Sequence, residues 1–283
     1  MTGTTAPITR SAVKSSDGTA IAYASLGAGP GVIVVGGALR AGRDYLPLAR
    51  ELARTFTVHV VDRRGRGDSG PQGAGYSIDK ERNDLLALQA ATGASAVFGH
   101  SYGGLIALET ARQTDVFSDV VVYEPGVSVS GSLRVDWMPR YRALLEAGDT
   151  RGAFASMVRQ SGFAPALLTN MPQWFLRSIL RIGIRGQQWQ QVEPLLEPNL
   201  AEHDQVARLD AGTLERYRTI GARVLLLGGQ QSPPFITTEL FDGLTRTIPD
   251  SAVEILDGLD HTAPDTKAPG VVAERIREHL RPR

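Results

Sequence analysis

The sequence predicts an α/β fold, with a mostly parallel sheet covered by helices on both faces. Three observations predict it. Short apolar runs alternate with stretches of helical spacing through residues 19–123. The same rhythm resumes at about residue 222, after a long break. The runs themselves, such as Gly31–Val35, are apolar and β-branched almost throughout, as strands buried on both faces require.

In chain order, Thr19–Ser25 reads as a strand after the Ser16-Asp17-Gly18 turn, and Gly31–Val35 as a buried strand. Asp44–Leu52 places Leu46, Leu48, Ala49 and Leu52 at helical spacing. Phe56–Val61 is the next strand, and Asp79–Ala90 a helix with Leu85, Leu86 and Leu88 among its apolar positions. Ala94–Phe98 is a strand, Leu105–Arg112 a helix and Asp119–Tyr123 a strand. From about Gly126 to Arg218 no strand run occurs. This stretch holds Trp137, Trp174 and Trp189, and every Met except Met1. Helices are expected around Met138–Glu146, Arg151–Gln160, Gln173–Arg181 and Gln187–Leu195, punctuated by Pro139, Pro165, Pro172, Pro194 and Pro198. Then come a strand at Ala222–Leu227, a helix at Thr237–Leu244, a strand at Ala252–Leu256 and a closing helix at Val271–Leu280. Residues 1–125 and 219–283 are therefore expected to form one core. Residues 126–218 are expected to be a helical lid inserted after the strand ending near Tyr123.

The 283 residues are 42% apolar and 21% charged, ordinary for a globular protein with a full core. Lys plus Arg and Asp plus Glu both number 30, so no net field favours nucleic acid or an anionic membrane. The absence of cysteine excludes disulfides, thiolate metal sites and a cysteine nucleophile. Met1 to Arg10 is polar and unlike a secretory signal, and no apolar run approaches the length of a membrane span. A soluble cytoplasmic protein acting on a small molecule is expected, without nucleic acid or membrane as partner. A homodimer is left open.

Gly99-His100-Ser101-Tyr102-Gly103 matches G-x-S-x-G between a predicted strand and a predicted helix, the context that gives this motif meaning. Such a turn passes its serine through a strained conformation, and the glycines, with Gly104, remove side chains that would clash. It also sets the Tyr102 N–H at a helix N-terminus, where it can donate to an oxyanion. The bland alternative is a glycine-rich turn with a capping serine. A serine needs a base within hydrogen-bond reach. His59 lies in a strand, His100 in the turn itself, His203 in the expected lid and His279 in the last helix. His261 follows the last predicted strand, at the sheet edge where open α/β sheets bind ligands.

These segments, with Asp62-Arg63-Arg64-Gly65-Arg66-Gly67-Asp68-Ser69, Tyr123-Glu124-Pro125 and Asp260-His261-Thr262-Ala263-Pro264, resemble the α/β-hydrolase superfamily. They are most similar to its small lid-bearing members common in actinobacteria. The resemblance covers nearly the whole chain. It implies the α/β-hydrolase fold, a Ser–His–acid triad, an acyl-enzyme intermediate and no cofactor. The superfamily usually carries its acid after the strand read here as Ala222–Leu227. That loop, Gly228-Gly229-Gln230-Gln231-Ser232-Pro233-Pro234, has no carboxylate. Some members, lactonases that resemble the fungal zearalenone-hydrolysing enzymes among them, carry the acid at the earlier position matched by Glu124. The resemblance therefore implies Ser101, His261 and Glu124 as catalytic residues. A structural role for Glu124 at the lid hinge is the alternative, and Asp260, Asp257 and Asp242 are weaker substitutes. Many relatives have His-Gly where this chain has Gly36-Gly37; the matching second oxyanion donor is the N–H of Ala38.

The lid aromatics and methionines suit an apolar substrate, and Trp189, Met157 and Trp174 are taken as substrate-binding residues. No histidine and acid cluster has metal-ligand spacing. Gly27–Gly31 lacks the dinucleotide-binding spacing, and Arg66-Gly67-Asp68 reads as a family turn. The expected activity is a serine hydrolase cleaving a carboxylic ester or lactone. The alternatives are a non-hydrolytic enzyme on the same fold, such as one breaking a C–C bond, and a ligand-binding protein.

Overall fold

Val32–Val35, Val58–Val61 and Val120–Val122 are rich in β-branched residues whose stiff side chains suit a pleated surface, and all lie in strands. The structure is a computed structural model, described over residues 7–162, 168, 170–210 and 214–281. Eight strands form one sheet: β1 (Thr9–Lys14), β2 (Ala20–Leu26), β3 (Gly31–Val35), β4 (Thr57–Val61), β5 (Ala96–His100), β6 (Asp119–Tyr123), β7 (Arg223–Gly229) and β8 (Ser251–Leu256). Their spatial order is β1-β2-β4-β3-β5-β6-β7-β8. β2 runs antiparallel to β1 and β4, and the other neighbours are parallel. This is the α/β-hydrolase fold, with the mostly parallel sheet the sequence predicts.

Period-two alternation divides each central strand between two cores. Ile33, Val35, Val120, Val122, Val224 and Leu226 face one side, with Leu85, Leu88 and Leu105 of α2 (Ile78–Thr92) and α3 (Tyr102–Ala111). Val32, Val34, Val121, Leu225 and Leu227 face the other, with α1 (Leu46–Leu52) and the C-terminal helix. Leu48, Leu52, Val272 and Ile276 there are fully buried, each contributing about 1.5–3 kcal/mol.

Between β6 and β7 lie α4 (Met138–Glu146), α5 (Thr150–Gln160), α6 (Gln173–Gly183), α7 (Gln187–Val192) and α8 (Leu196–Leu209). They bury a third, smaller core of Trp137, Met138, Tyr141, Ala153, Phe154, Trp189, Leu196 and Leu200. α9 (Phe241–Thr247) and α10 (Pro269–His279) complete the chain. Among the described residues, no helix is long and apolar enough to cross a membrane.

Three elements differ from the sequence reading. β1 is not predicted, because it is an edge strand with mostly exposed residues and no apolar alternation. α8 is not predicted either, because Pro198 reads as a stop. Pro198 instead sits in the first turn, where its missing N–H would have had no helical partner. The helix expected at Gln187–Leu195 tightens into a 3₁₀ turn after Val192.

Candidate active site

Ser101 links β5 to α3 at φ 53° and ψ −119°, a conformation costing on the order of 1–3 kcal/mol for a residue with a side chain. Its surroundings hold it there. Its N–H donates to the Tyr123 carbonyl at 2.9 Å, and its carbonyl accepts from the N–H of Gly104, Leu105 and Gly126 at 2.9, 3.1 and 2.8 Å. The flanking glycines are required by close approach. A Cβ on Gly99 would lie 2.4 Å from the Gly103 carbonyl oxygen, and one on Gly103 would lie 2.2 Å from that of Val35.

His261 follows β8, and its Nδ1 lies 2.6 Å from Glu124 Oε2. Glu124 is 1% exposed and comes directly after β6, which runs between β5 and β7. Its other oxygen accepts from the Gly229 N–H at 2.8 Å and the Ser232 hydroxyl at 2.6 Å. Both donors belong to β7 and the loop after it, the place where the superfamily's usual acid would stand. The loop without a carboxylate therefore holds the carboxylate supplied by the neighbouring strand. With Nδ1–H committed to Glu124, the imidazole keeps Nε2 as its basic nitrogen. Asp260 does not compete. Its carboxylate is engaged by the N–H and hydroxyl of Thr262, at 2.9 and 2.7 Å, and by Lys267 at 3.0 Å.

Two residues that sequence reasoning missed fasten the His261 loop. His100 Nε2 lies 2.9 Å from the His261 carbonyl, so this nitrogen carries the proton. Its Nδ1 must then accept, and it does so from the Tyr45 hydroxyl at 2.7 Å. Tyr45 in turn accepts from the Gly37 N–H at 2.8 Å. Burial, with His261 and Arg40 nearby, holds the His100 pKa well below its usual value, which keeps this neutral tautomer in place. Tyr123 donates to the Asp260 carbonyl at 2.8 Å. Adjacent carbonyls of the loop are thus tied to the ends of β5 and β6. A histidine beside Ser101 was visible in sequence; its partner 55 residues away was not.

The Gly36–Leu39 loop packs directly on Ser101, since a Cβ on Gly37 would lie 3.1 Å from the serine Cβ. One on Gly36 would lie 2.5 Å from the Tyr45 ring, so the histidine common in relatives has no room here. Arg63 donates to the Gly36 and Gly37 carbonyls at 3.3 and 3.2 Å, and Arg66 to the Gly37 and Arg40 carbonyls at 3.2 and 3.3 Å. Arg63 also reaches Glu81 and Glu202 at 2.7 Å each, and Arg66 pairs with Glu202. Burial alone would lower the Arg63 pKa, but Glu202 and Glu81 raise it well above its usual value. Arg63 and Arg66 form a bracket behind this loop. Ala38, Ser101 and Tyr102 line one cavity together.

A cavity opens over Ser101 in two lobes, of about 350 and 180 Å³. Ala38, Leu39, Ser101, Met157, Ser161 and His261 line both. The larger lobe adds Phe154, Val158, Ile184 and Val192, with Arg40 and Asp265. The smaller adds Tyr102, Leu133, Arg134, Trp137, Asn199, His203 and Val206. Met157, expected to bind substrate, lines both lobes. Trp189 does not: it packs on Phe154 and under the Arg151 guanidinium, outside both lobes. Trp174 is also misplaced, being 71% exposed on α6. Composition identifies an apolar helical segment, but not which face of each helix turns to the cavity.

A family model described as "Alpha/beta hydrolase family" matches residues 32–275. An alpha/beta hydrolase from Sphaerobacter thermophilus superposes with a TM-score of 0.80 at 31% identity, covering 96% of this chain and 100% of that one. A thermophilic esterase from Thermogutta terrifontis superposes with a TM-score of 0.73 at 20% identity, covering 96% and 98% of the two chains; this is a likeness of fold. The proposed carbamate hydrolase RutD of Cronobacter sakazakii is 30% identical over 125 residues, or 42% of this chain. The match spans 46% of that protein, under half its length.

Proposed function

Because the chain belongs to the alpha/beta hydrolase family, we propose that it is a serine hydrolase cleaving a carboxylic ester or lactone of an apolar small molecule through an acyl-enzyme. The observation that carries this reading is the 2.6 Å contact between His261 Nδ1 and a Glu124 whose other oxygen is held by Gly229 and Ser232. It sets the imidazole tautomer that a general base for Ser101 needs.

His261 Nε2 takes the hydroxyl proton as Ser101 Oγ bonds to the carbonyl carbon. The charge that develops on the carbonyl oxygen is met by the N–H groups of Ala38 and Tyr102, and the imidazolium by Glu124. His261 then protonates the leaving alcohol as the ester C–O bond breaks. Water, deprotonated by His261, attacks the acyl-enzyme and restores Ser101. In a lactone the leaving alcohol stays tethered to the acyl group. The acid after β6 supports the likeness to lactonases of the zearalenone-hydrolysing kind within the small actinobacterial-type members. The loop after β7 has no carboxylate of its own, which would favour the non-hydrolytic alternative, but that ground is weak because the same loop holds Glu124.

Residues 126–218 act as the lid in this reading, over a core of 1–125 and 219–283. The support is that Phe154, Met157, Val158 and Trp137 from this segment roof the cavity above Ser101. Exposure to a fluorophosphonate, read by intact mass, tests the assignment. One adduct mapping to Ser101 and absent in Ser101→Ala is expected, with an ester and lactone panel to follow. A folded protein that takes up no adduct overturns it.

A further inference from the structure

Asn199 and His203 are among the polar groups of the smaller lobe that the proposed chemistry does not use. Asn199, on α8, is 1% exposed. Its amide orientation is set by Tyr141: that hydroxyl donates to the Leu196 carbonyl at 2.9 Å, so it accepts from Asn199 Nδ2 at 3.4 Å. The same nitrogen lies 3.3 Å from Met157 Sδ. Asn199 Oδ1 is left buried with no hydrogen-bond partner among the described residues. An orphaned buried acceptor is rare in a folded protein and asks what donor it meets.

One turn along, His203 Nδ1 lies 2.8 Å from the Asn199 carbonyl, so Nδ1 carries the proton and Nε2 is the accepting nitrogen. Burial lowers the His203 pKa, which keeps the ring neutral and Nε2 able to accept. The ring stands edge-on to Trp137, with centroids 4.9 Å apart. Around these two acceptors the lobe is walled mainly by Leu133, Trp137, Met157 and Val206, with Arg134 and Ser161 also in its lining. Acceptors in a largely apolar chamber select a ligand that brings a donor on an apolar frame, because a ligand without one leaves them unpaired.

We propose that the lobe beside Tyr102 is a subsite for a hydroxyl-bearing apolar portion of the substrate, whose proton is accepted by His203 Nε2 or Asn199 Oδ1. This rests on the hydrolase reading for its link to Ser101, but binding alone can test it. Benzyl alcohol, benzyl methyl ether and toluene share a ring, and only the alcohol has a donor. Their affinities for Ser101→Ala protein are measured by tryptophan fluorescence, Trp137 being in the lobe wall. Benzyl alcohol is expected to bind about tenfold more tightly than the other two. Adding His203→Phe should remove most of this preference, and His203→Phe with Asn199→Leu all of it. Equal binding of the three compounds overturns the proposal, as does a preference that survives both substitutions. His203→Phe alone, checked by circular dichroism, keeps the test readable if the doubly substituted protein does not fold. Turnover of p-nitrophenyl acetate by the unsubstituted enzyme tests the hydrolase reading separately, since the ligand comparison needs no turnover.

Discussion

The sheet edge and the helical segment above it each bury a glutamate, and the two are held in opposite ways. Glu124, at the edge, accepts from the Gly229 N–H, the Ser232 hydroxyl and His261. No guanidinium or ammonium stands among these partners. Glu202, on α8, gives one oxygen to both Arg63 and Arg66, while the other has no hydrogen-bond partner among the described residues. The difference teaches what each charge is for. Neutral donors fix the Glu124 carboxylate in place without cancelling its charge, which on the proposed mechanism would meet the His261 imidazolium. The charge of Glu202 is spent on the guanidiniums that hold the Gly36 and Gly37 carbonyls. On the proposed mechanism one glutamate serves the chemistry, while the other fastens α8 to the loop beside Ser101.

Substituting each acid by its amide separates these roles. Glu124→Gln should lower kcat/KM on the order of 10⁴-fold. Gly229 and Ser232 both donate to one side of the carboxylate, so the amide oxygen must stay there. The NH₂ group is then turned to His261 Nδ1, which has to accept, and the proton moves to the nitrogen that should act as base. Steady-state kinetics on any ester the enzyme turns over would show this, with little change in thermal stability. An active Glu124→Gln enzyme would sink the triad assignment. Glu202→Gln should act the other way round. It removes the charge shared by two buried guanidiniums, and breaking such a pair costs about 3–5 kcal/mol. The loss should appear as a lower urea midpoint, with a smaller fall in rate than for Glu124→Gln. An unchanged midpoint would mean that Glu81 alone suffices for Arg63.

How much of this was legible in sequence follows the same division. The strand–turn–helix around Ser101 is written locally, in β-branched runs and in glycines that contacts as short as 2.2 Å demand. The edge position of His261 follows from its place after the last strand. Glu124 could be reached only by elimination and resemblance, because its partners at Gly229 and Ser232 lie 105 and 108 residues away. The bracket of Arg63, Arg66 and Glu202 was half legible: the arginines lie in a segment that carries the resemblance, but their acid lies on a helix hidden by Pro198. Tyr45 gave no local sign at all. Its role depends on β3 and β5 being neighbours, a fact of topology that no short window of residues contains. The cavity walls were least legible, since Trp137, Trp174 and Trp189 read alike until the helices are placed.

The smallest effect is expected where the sequence reading went furthest astray. Trp174 is 71% exposed and its ring meets Phe175, with centroids 5.6 Å apart, on the outer side of α6. Trp174→Ala should shift stability within about ±0.5 kcal/mol and leave KM unchanged. Met157 is the internal control. It lines both lobes and contacts Asn199 Nδ2 at 3.3 Å, so Met157→Ala enlarges both and should raise KM. Measured on one ester, the two substitutions ask whether the cavity seen here is the cavity that binds. If Trp174→Ala raised KM as much as Met157→Ala, α6 would have to reach the substrate in the complex. The contrast between a fixed sheet edge and the helices above it would then be one of motion as well as of charge.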